Sequence, residues 1–249
     1  MLKLTDALLL FALASLCLGC SKRATPYDLA APAVGDPEFF DREQTARWLL
    51  VYDTLHLMTR DAAGDSNSML CLASEAAWQC VAGRFGPSGT FLPERTWMVG
   101  EQGPEPIKAD HGPGLAALGH AVYAVSRDLG EDWTLYPRPT ADGIEVWALP
   151  RQVATGDPVI GETRKVLFSQ DGLQQTGQQV WGSGQRAVPA NRELDLTLSS
   201  AESSHPSVGE LFFSMYHRDT FRSITIETGL YRVALIDLDG SLGWSRAAL

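Results

Sequence analysis

The chain is 249 residues long, 45% hydrophobic and 20% charged, with 30 acidic against 20 basic residues and a net charge of -10. Its apolar content excludes a disordered chain, and its acidity argues against a nucleic-acid binder, which needs a basic face to neutralise phosphates. One apolar run is long enough to consider for a membrane, which excludes a multi-span protein and leaves a globular domain of ordinary make-up.

That run is at the N-terminus. Lys3 gives a positive start, partly offset by Asp6, and residues 7–18 are apolar. Twelve residues are too few to span a bilayer, which takes about 20, and suit the hydrophobic region of a signal peptide. The run closes on Leu16-Cys17-Leu18-Gly19-Cys20-Ser21. This resembles the lipobox of bacterial lipoproteins, with Cys17 where that motif usually has Leu and Leu16 one place upstream. The resemblance implies a signal peptide over residues 1–19, cleavage before Cys20, a diacylglycerol thioether on Cys20 and acylation of the new amino group. Each buried CH₂ contributes about 0.8 kcal/mol, so two or three chains anchor firmly where one binds only marginally. Ser21, being other than Asp, implies the outer membrane under enterobacterial-type sorting, with the protein facing the periplasm. Residues 20–37, with three Pro among small residues, read as the lipidated Cys and a flexible tether. Residues 38–249 are long enough for a single domain.

Residues 38–60 carry helical periodicity, with Asp36-Pro37 as N-cap and first-turn proline. Asp53 and His56, one turn apart, read as a surface ion pair or capping contact. Cys71 and Cys80 are predicted to pair in an oxidising compartment. Nine residues of helix would hold them about 13.5 Å apart, beyond the roughly 7 Å reach of a disulfide. Residues 68–72 and 77–81 are therefore expected to form a hairpin turning near Ser74-Glu75; the alternative is a helix through the Ala-rich residues 73–77 with two buried free cysteines. Residues 86–114 read as loops around a short strand at Trp97-Met98-Val99, and Pro113 opens a helix to about Leu129. Period two then takes over. Strands are expected at 133–136, stopped by Pro137-Arg138-Pro139, at 144–149 after an Asp142-Gly143 turn, and at 164–168 and 175–181 around Asp171-Gly172. Others are expected at 193–198, 208–216, 222–228 and 230–238, with a last short strand after Asp239-Gly240. Short connections imply antiparallel pairing. The expected architecture is α+β, two main helices packed on a largely antiparallel sheet of about six to eight strands.

No recognised catalytic motif is present. There is no G-x-S-x-G elbow, and Gly182-Ser183-Gly184 reads as a hairpin loop. His205 and Ser207 lie in a Ser-rich loop, and His217 follows the strand expected at 208–216, which would hold it roughly 30 Å from His205. Asp110 and His111 are a second speculative pair, with His120 nearly three turns further along the next helix. None of these has metal-ligand spacing, so no metal or other cofactor is expected. Glu210 and Glu227 on neighbouring strands are what an exposed sheet face carries. The seven Trp read as packing anchors. Trp147 alternates against Ile144, Val146 and Ala148, so two faces of that strand need cover. These readings describe a lipid-anchored cell-envelope protein, a non-catalytic binding or assembly factor whose partners are the membrane, through its lipid, and an envelope protein or cell-wall component. The alternative is an envelope hydrolase acting on peptidoglycan, peptide or ester around His205 and Ser207 or Asp110 and His111.

Overall fold

The computed structural model describes residues 36–63, 68–74, 77–109, 111–152, 156–200, 203–238 and 241–248. The expected signal peptide, lipidation site and tether up to residue 35, Asp110 and the Asp239-Gly240 turn lie outside them; residues 36 and 37, expected in the tether, belong to the start of the first helix.

Helix α1 (Pro37–Ala63) begins where Asp36 Oδ1 accepts from the backbone N–H groups of Glu38 and Phe39 at 3.0 and 3.3 Å. Strands β1 (Ser68–Ala73), β2 (Trp78–Phe85), β3 (Phe91–Gly100) and β4 (Gly103–Pro106) form an antiparallel meander. Cys71 and Cys80 are direct cross-strand partners, 4.1 Å apart at Cα, and form the expected disulfide. The Cys71 N–H donates to the buried Tyr52 hydroxyl at 2.8 Å, which fastens this hairpin to α1. The glycine- and proline-rich stretch is more regular than its composition suggests, since β3 runs for ten residues.

Helix α2 (Pro113–Leu129) follows, with Leu115, Leu118, Val122 and Val125 buried as the periodicity requires. Then come β5 (Trp133–Thr140), β6 (Gly143–Pro150), β7 (Val159–Phe168) and β8 (Gln175–Ala187), a second antiparallel meander. The two prolines do not stop β5. They lie two residues apart on an edge strand, so both missing N–H groups fall on one side of it, away from β6. The expected loop at Gly182-Ser183-Gly184 is instead a bulge inside β8: Thr163 pairs with Trp181 and Gly161 with Gln185, and the glycines take φ of 73° and 62°.

The last part departs furthest from expectation. After β9 (Asp195–Ser200), residues 208–216 form a helix, α3 (Val208–Tyr216), where a strand was expected. Val208, Leu211, Phe212 and Met215 fall at helical spacing, and Ser207 with Glu210 forms a capping box. Strands β10 (Ser223–Thr228), β11 (Tyr231–Leu238) and β12 (Ser241–Ala248) complete a third sheet, ordered β12-β11-β10-β9. The α3 crossover lets β9 and β10 lie side by side and pair directly in parallel. One sheet of six to eight strands under two helices is therefore replaced by three four-stranded sheets and three helices among the described residues.

Two cores hold these layers together. Leu70 and Val81 of the first sheet and Ile144, Val146 and Ala148 of the second pack with α2. Cys71, Cys80, Trp97, Tyr136, Trp147 and Leu149 point the other way, toward α1, α3 and the third sheet. Both faces of β6 are thus covered within the chain.

Candidate functional site

The histidine loop and the start of α1 meet in space. Asp36 caps α1 with Oδ1, and its Oδ2 lies 2.9 Å from His205 Nε2. The other ring nitrogen, Nδ1, is 2.9 Å from the Ser204 hydroxyl and 3.5 Å from a Glu38 oxygen. Arg42 donates to the backbone carbonyls of His205 and Pro206 at 3.3 and 3.0 Å. Arg246 stands 3.6 Å from Asp36 Oδ2 and 3.7 Å over the Tyr231 ring. The hydrogen bond with His205 is the largest influence on the Asp36 carboxyl and holds its pKa below the usual value, aided by the N–H groups of α1.

Hydroxyl, imidazole and carboxylate stand in sequence here, but Ser204 immediately precedes His205 and Glu38 also faces the same Nδ1. Both ring nitrogens thus face a carboxylate, so the imidazole is held between Asp36 and Glu38. The arrangement suits a clamp that fixes the loop to the helix. Ser207 is not on the imidazole: its hydroxyl and N–H both bond Glu210 Oε2, at 2.9 and 2.8 Å, and its oxygen accepts the Glu210 N–H at 3.2 Å. Glu210 is accordingly a capping residue on α3, and Glu227 on β10 is paired with Arg232.

The other histidines have separate partners. His111 Nε2 bonds the Thr96 hydroxyl at 3.2 Å, and His120 approaches the Asp171 carbonyl at 3.4 Å. His217 follows a nine-residue helix rather than an extended strand, so about 13.5 Å of rise, not 30 Å, separates the ends of that element. Its Nε2 bonds Gln152 Oε1 at 2.8 Å, while the Gln152 amide donates to the carbonyls of Pro150 and Val159. Burial pushes its pKa down to about 4. His56 is likewise lowered to about 4 by burial; its ring lies 4.9 Å from that of Tyr52 and bonds the Met69 backbone. Asp53 accepts a hydrogen bond from the Tyr136 hydroxyl at 3.3 Å. Among the described residues, no group of three or more His, Cys, Asp or Glu could hold a metal ion.

A different cluster, not singled out in the sequence, lies on the α1-facing side of the second sheet. Glu145 receives Arg138 at 2.5 Å, Lys165 at 2.7 Å and the Trp147 indole N–H at 3.3 Å. Burial raises its pKa, but Lys165 and Arg138 outweigh that and bring it below the usual value. Arg138 lies 5.2 Å from the Trp48 ring centroid and Lys165 5.4 Å from that of Trp147, which stacks on Trp181 at 5.5 Å and 12°. Two cations thus share one carboxylate on this face, a shelf beside the half-buried Trp48 and Trp181. Part of this was readable: a turn at Asp142-Gly143 sets Arg138 opposite Glu145 in the hairpin. The contribution of Trp48 from α1 had no local signal.

No protein-family model matches the chain, and no curated protein or solved structure matches it.

Proposed function

We propose that this is a lipid-tethered protein of the bacterial cell envelope, anchored through Cys20 and facing the periplasm, that works by holding an envelope partner rather than by catalysis. The observation that carries the reading is the buried Cys71–Cys80 bond. Disulfides of this kind persist in oxidising compartments, and this one follows a sequence that ends in the Leu16-to-Cys20 motif. The shelf around Glu145 is the binding face, because paired cations flanked by Trp side chains offer both charge and flat apolar area to a partner.

The test is the intact mass of the protein from native membranes, with and without reduction. Acylated residues 20–249, gaining two hydrogens on reduction, are the expected species. An unacylated mature chain would sink the anchor. For the binding face, Arg138→Glu with Lys165→Glu should abolish crosslinking to the envelope partner while leaving the far-UV spectrum unchanged. Undiminished crosslinking would remove the shelf from the reading.

A further inference from the structure

The outer edge of β8 is built differently from the other sheet edges. β4 has Pro104 and Pro106 in four residues, β5 has Pro137 and Pro139, and β1 lies beside β5. β9 opens on Asp195, paired with Arg222, and β12 carries Arg246. Prolines and charges are how edges are kept from pairing with further strands. β8 is the longest strand described, at 13 residues, and has neither device from residue 175 to 185. Nearly all of it is exposed, including Val180 at 48%. From residue 172 to 192 there is no Asp or Glu, in a chain that has 30.

We infer that β8 pairs with the β8 strand of a second copy of this chain, antiparallel across a twofold axis, joining two four-stranded sheets into one of eight. Three features select a second copy. A twofold antiparallel edge is self-complementary, so one run supplies both halves. The register breaks at Thr176 and at Gly182-Ser183-Gly184 bound the regular ladder, leaving residues 177–181 with Gln179 at the centre. An axis at Gln179 sets Gln179 opposite itself, Gln178 opposite Val180 and Gly177 opposite Trp181. Finally, copies of net charge -10 repel over most approaches, whereas this run is neutral. Arg186 and Arg192 lie beyond the bulge, so the run itself offers no charge to select an acidic peptide. Five residues a side fall short of a standard interface, so the dimer is weak, with a dissociation constant of about 1 to 100 µM. The pairing is independent of lipid on Cys20.

The experiment uses the full chain in detergent, by sedimentation velocity from about 1 to 200 µM, a range chosen to bracket that affinity. A concentration-dependent monomer–dimer equilibrium is expected. Gln178→Lys with Val180→Lys should weaken it more than tenfold, because like charges then line both sides of the seam. Leu230→Lys, at a 62% exposed position in the turn between β10 and β11, should leave it unchanged. In membranes, Gln179→Cys should yield a reducible dimer beyond the wild-type background, since opposed Cα atoms in either kind of antiparallel pair lie about 4.5 to 5.5 Å apart; Leu230→Cys should not. A monomer throughout the range overturns the proposal. So does a dimer indifferent to the two lysines, or crosslinking equal at the two cysteine positions.

Discussion

Gly172 combines two constraints that a matched pair of substitutions separates. It sits in the turn between β7 and β8 with φ of 71°, and a Cβ there would lie 2.8 Å from the Ala117 carbonyl carbon of α2 and closer still to its oxygen. Carbon atoms prefer about 3.5 to 4.0 Å, so the turn must retreat from α2 by roughly an ångström. Left-handed backbone costs an L-residue about 1 to 2 kcal/mol, and forcing atoms into a packed contact about 1 to 3 kcal/mol. Gly172→Ala should therefore lose roughly 3 to 4 kcal/mol. Gly184, at φ 62°, has nothing within 4 Å of its Cβ position, so Gly184→Ala should lose only the conformational part, about 1 to 2 kcal/mol. The unfolded-state gain from replacing glycine is common to both and cancels in the difference. Urea titration followed by tryptophan fluorescence reads this directly. With a slope near 3 kcal/mol/M, the midpoint should fall by about 1 M for Gly172→Ala and about 0.5 M for Gly184→Ala. Equal midpoints would show that the turn slides freely on α2, and the close approach would then not be what fixes the second sheet.

Acid should weaken the fold before carboxylates titrate. His56 and His217 have native pKa values near 4 against 6.5 unfolded. Above 6.5 neither state binds the proton; between 6.5 and 4 only the unfolded chain does, so stability falls with pH by up to about 3 kcal/mol per histidine. His217→Gln should flatten that slope in denaturation series at pH 7, 6 and 5, and an unchanged slope would count against burial as its cause. Replacing Cys71 and Cys80 together by Ser should cost about 2.5 kcal/mol, the closure entropy of so short a loop, seen as a lower midpoint that reductant no longer shifts. Glu210→Ala should cost about 1 to 2 kcal/mol, because Ser207 and Ser200 both lose their acceptor; a change under about 0.3 kcal/mol would mean that α3 does not depend on its cap.

Where the fold was legible, the signal was local. Asp36-Pro37 and Pro113 marked helix starts that the structure has, and the spacing of Cys71 and Cys80 required the hairpin. The error at 208–216 is also local. Nine mostly apolar residues satisfy a buried strand and a buried helix equally, and length cannot choose between them. The capping pair Ser207-x-x-Glu210 was the available discriminator, and reading it would have given the crossover and the parallel β9–β10 pair. The prolines of β5 misled because their effect depends on which edge of the sheet the strand occupies, a tertiary fact. Asp36 and His205 are 169 residues apart, and nothing in either neighbourhood announces the other.

That long-range contact matters most if Cys20 carries lipid, because residue 36 is then where the tether enters the fold and where any pull on it first acts. Polar contacts are concentrated there. Asp36 holds His205 and Arg246, Arg42 holds two carbonyls of the histidine loop, and one helical turn deeper the buried Arg47 bonds both Glu43 and the Leu242 carbonyl of β12. A buried pair such as Glu43–Arg47 adds little net stability over apolar packing, yet removing one partner costs several kcal/mol. These bonds therefore act chiefly by position. They make unpeeling the first turn of α1 require breaking contacts to the loop before α3 and to the last strand together. A load on the tether is thereby passed to the third sheet, leaving the Glu145 shelf and the β8 edge, both on the second sheet, outside its direct path.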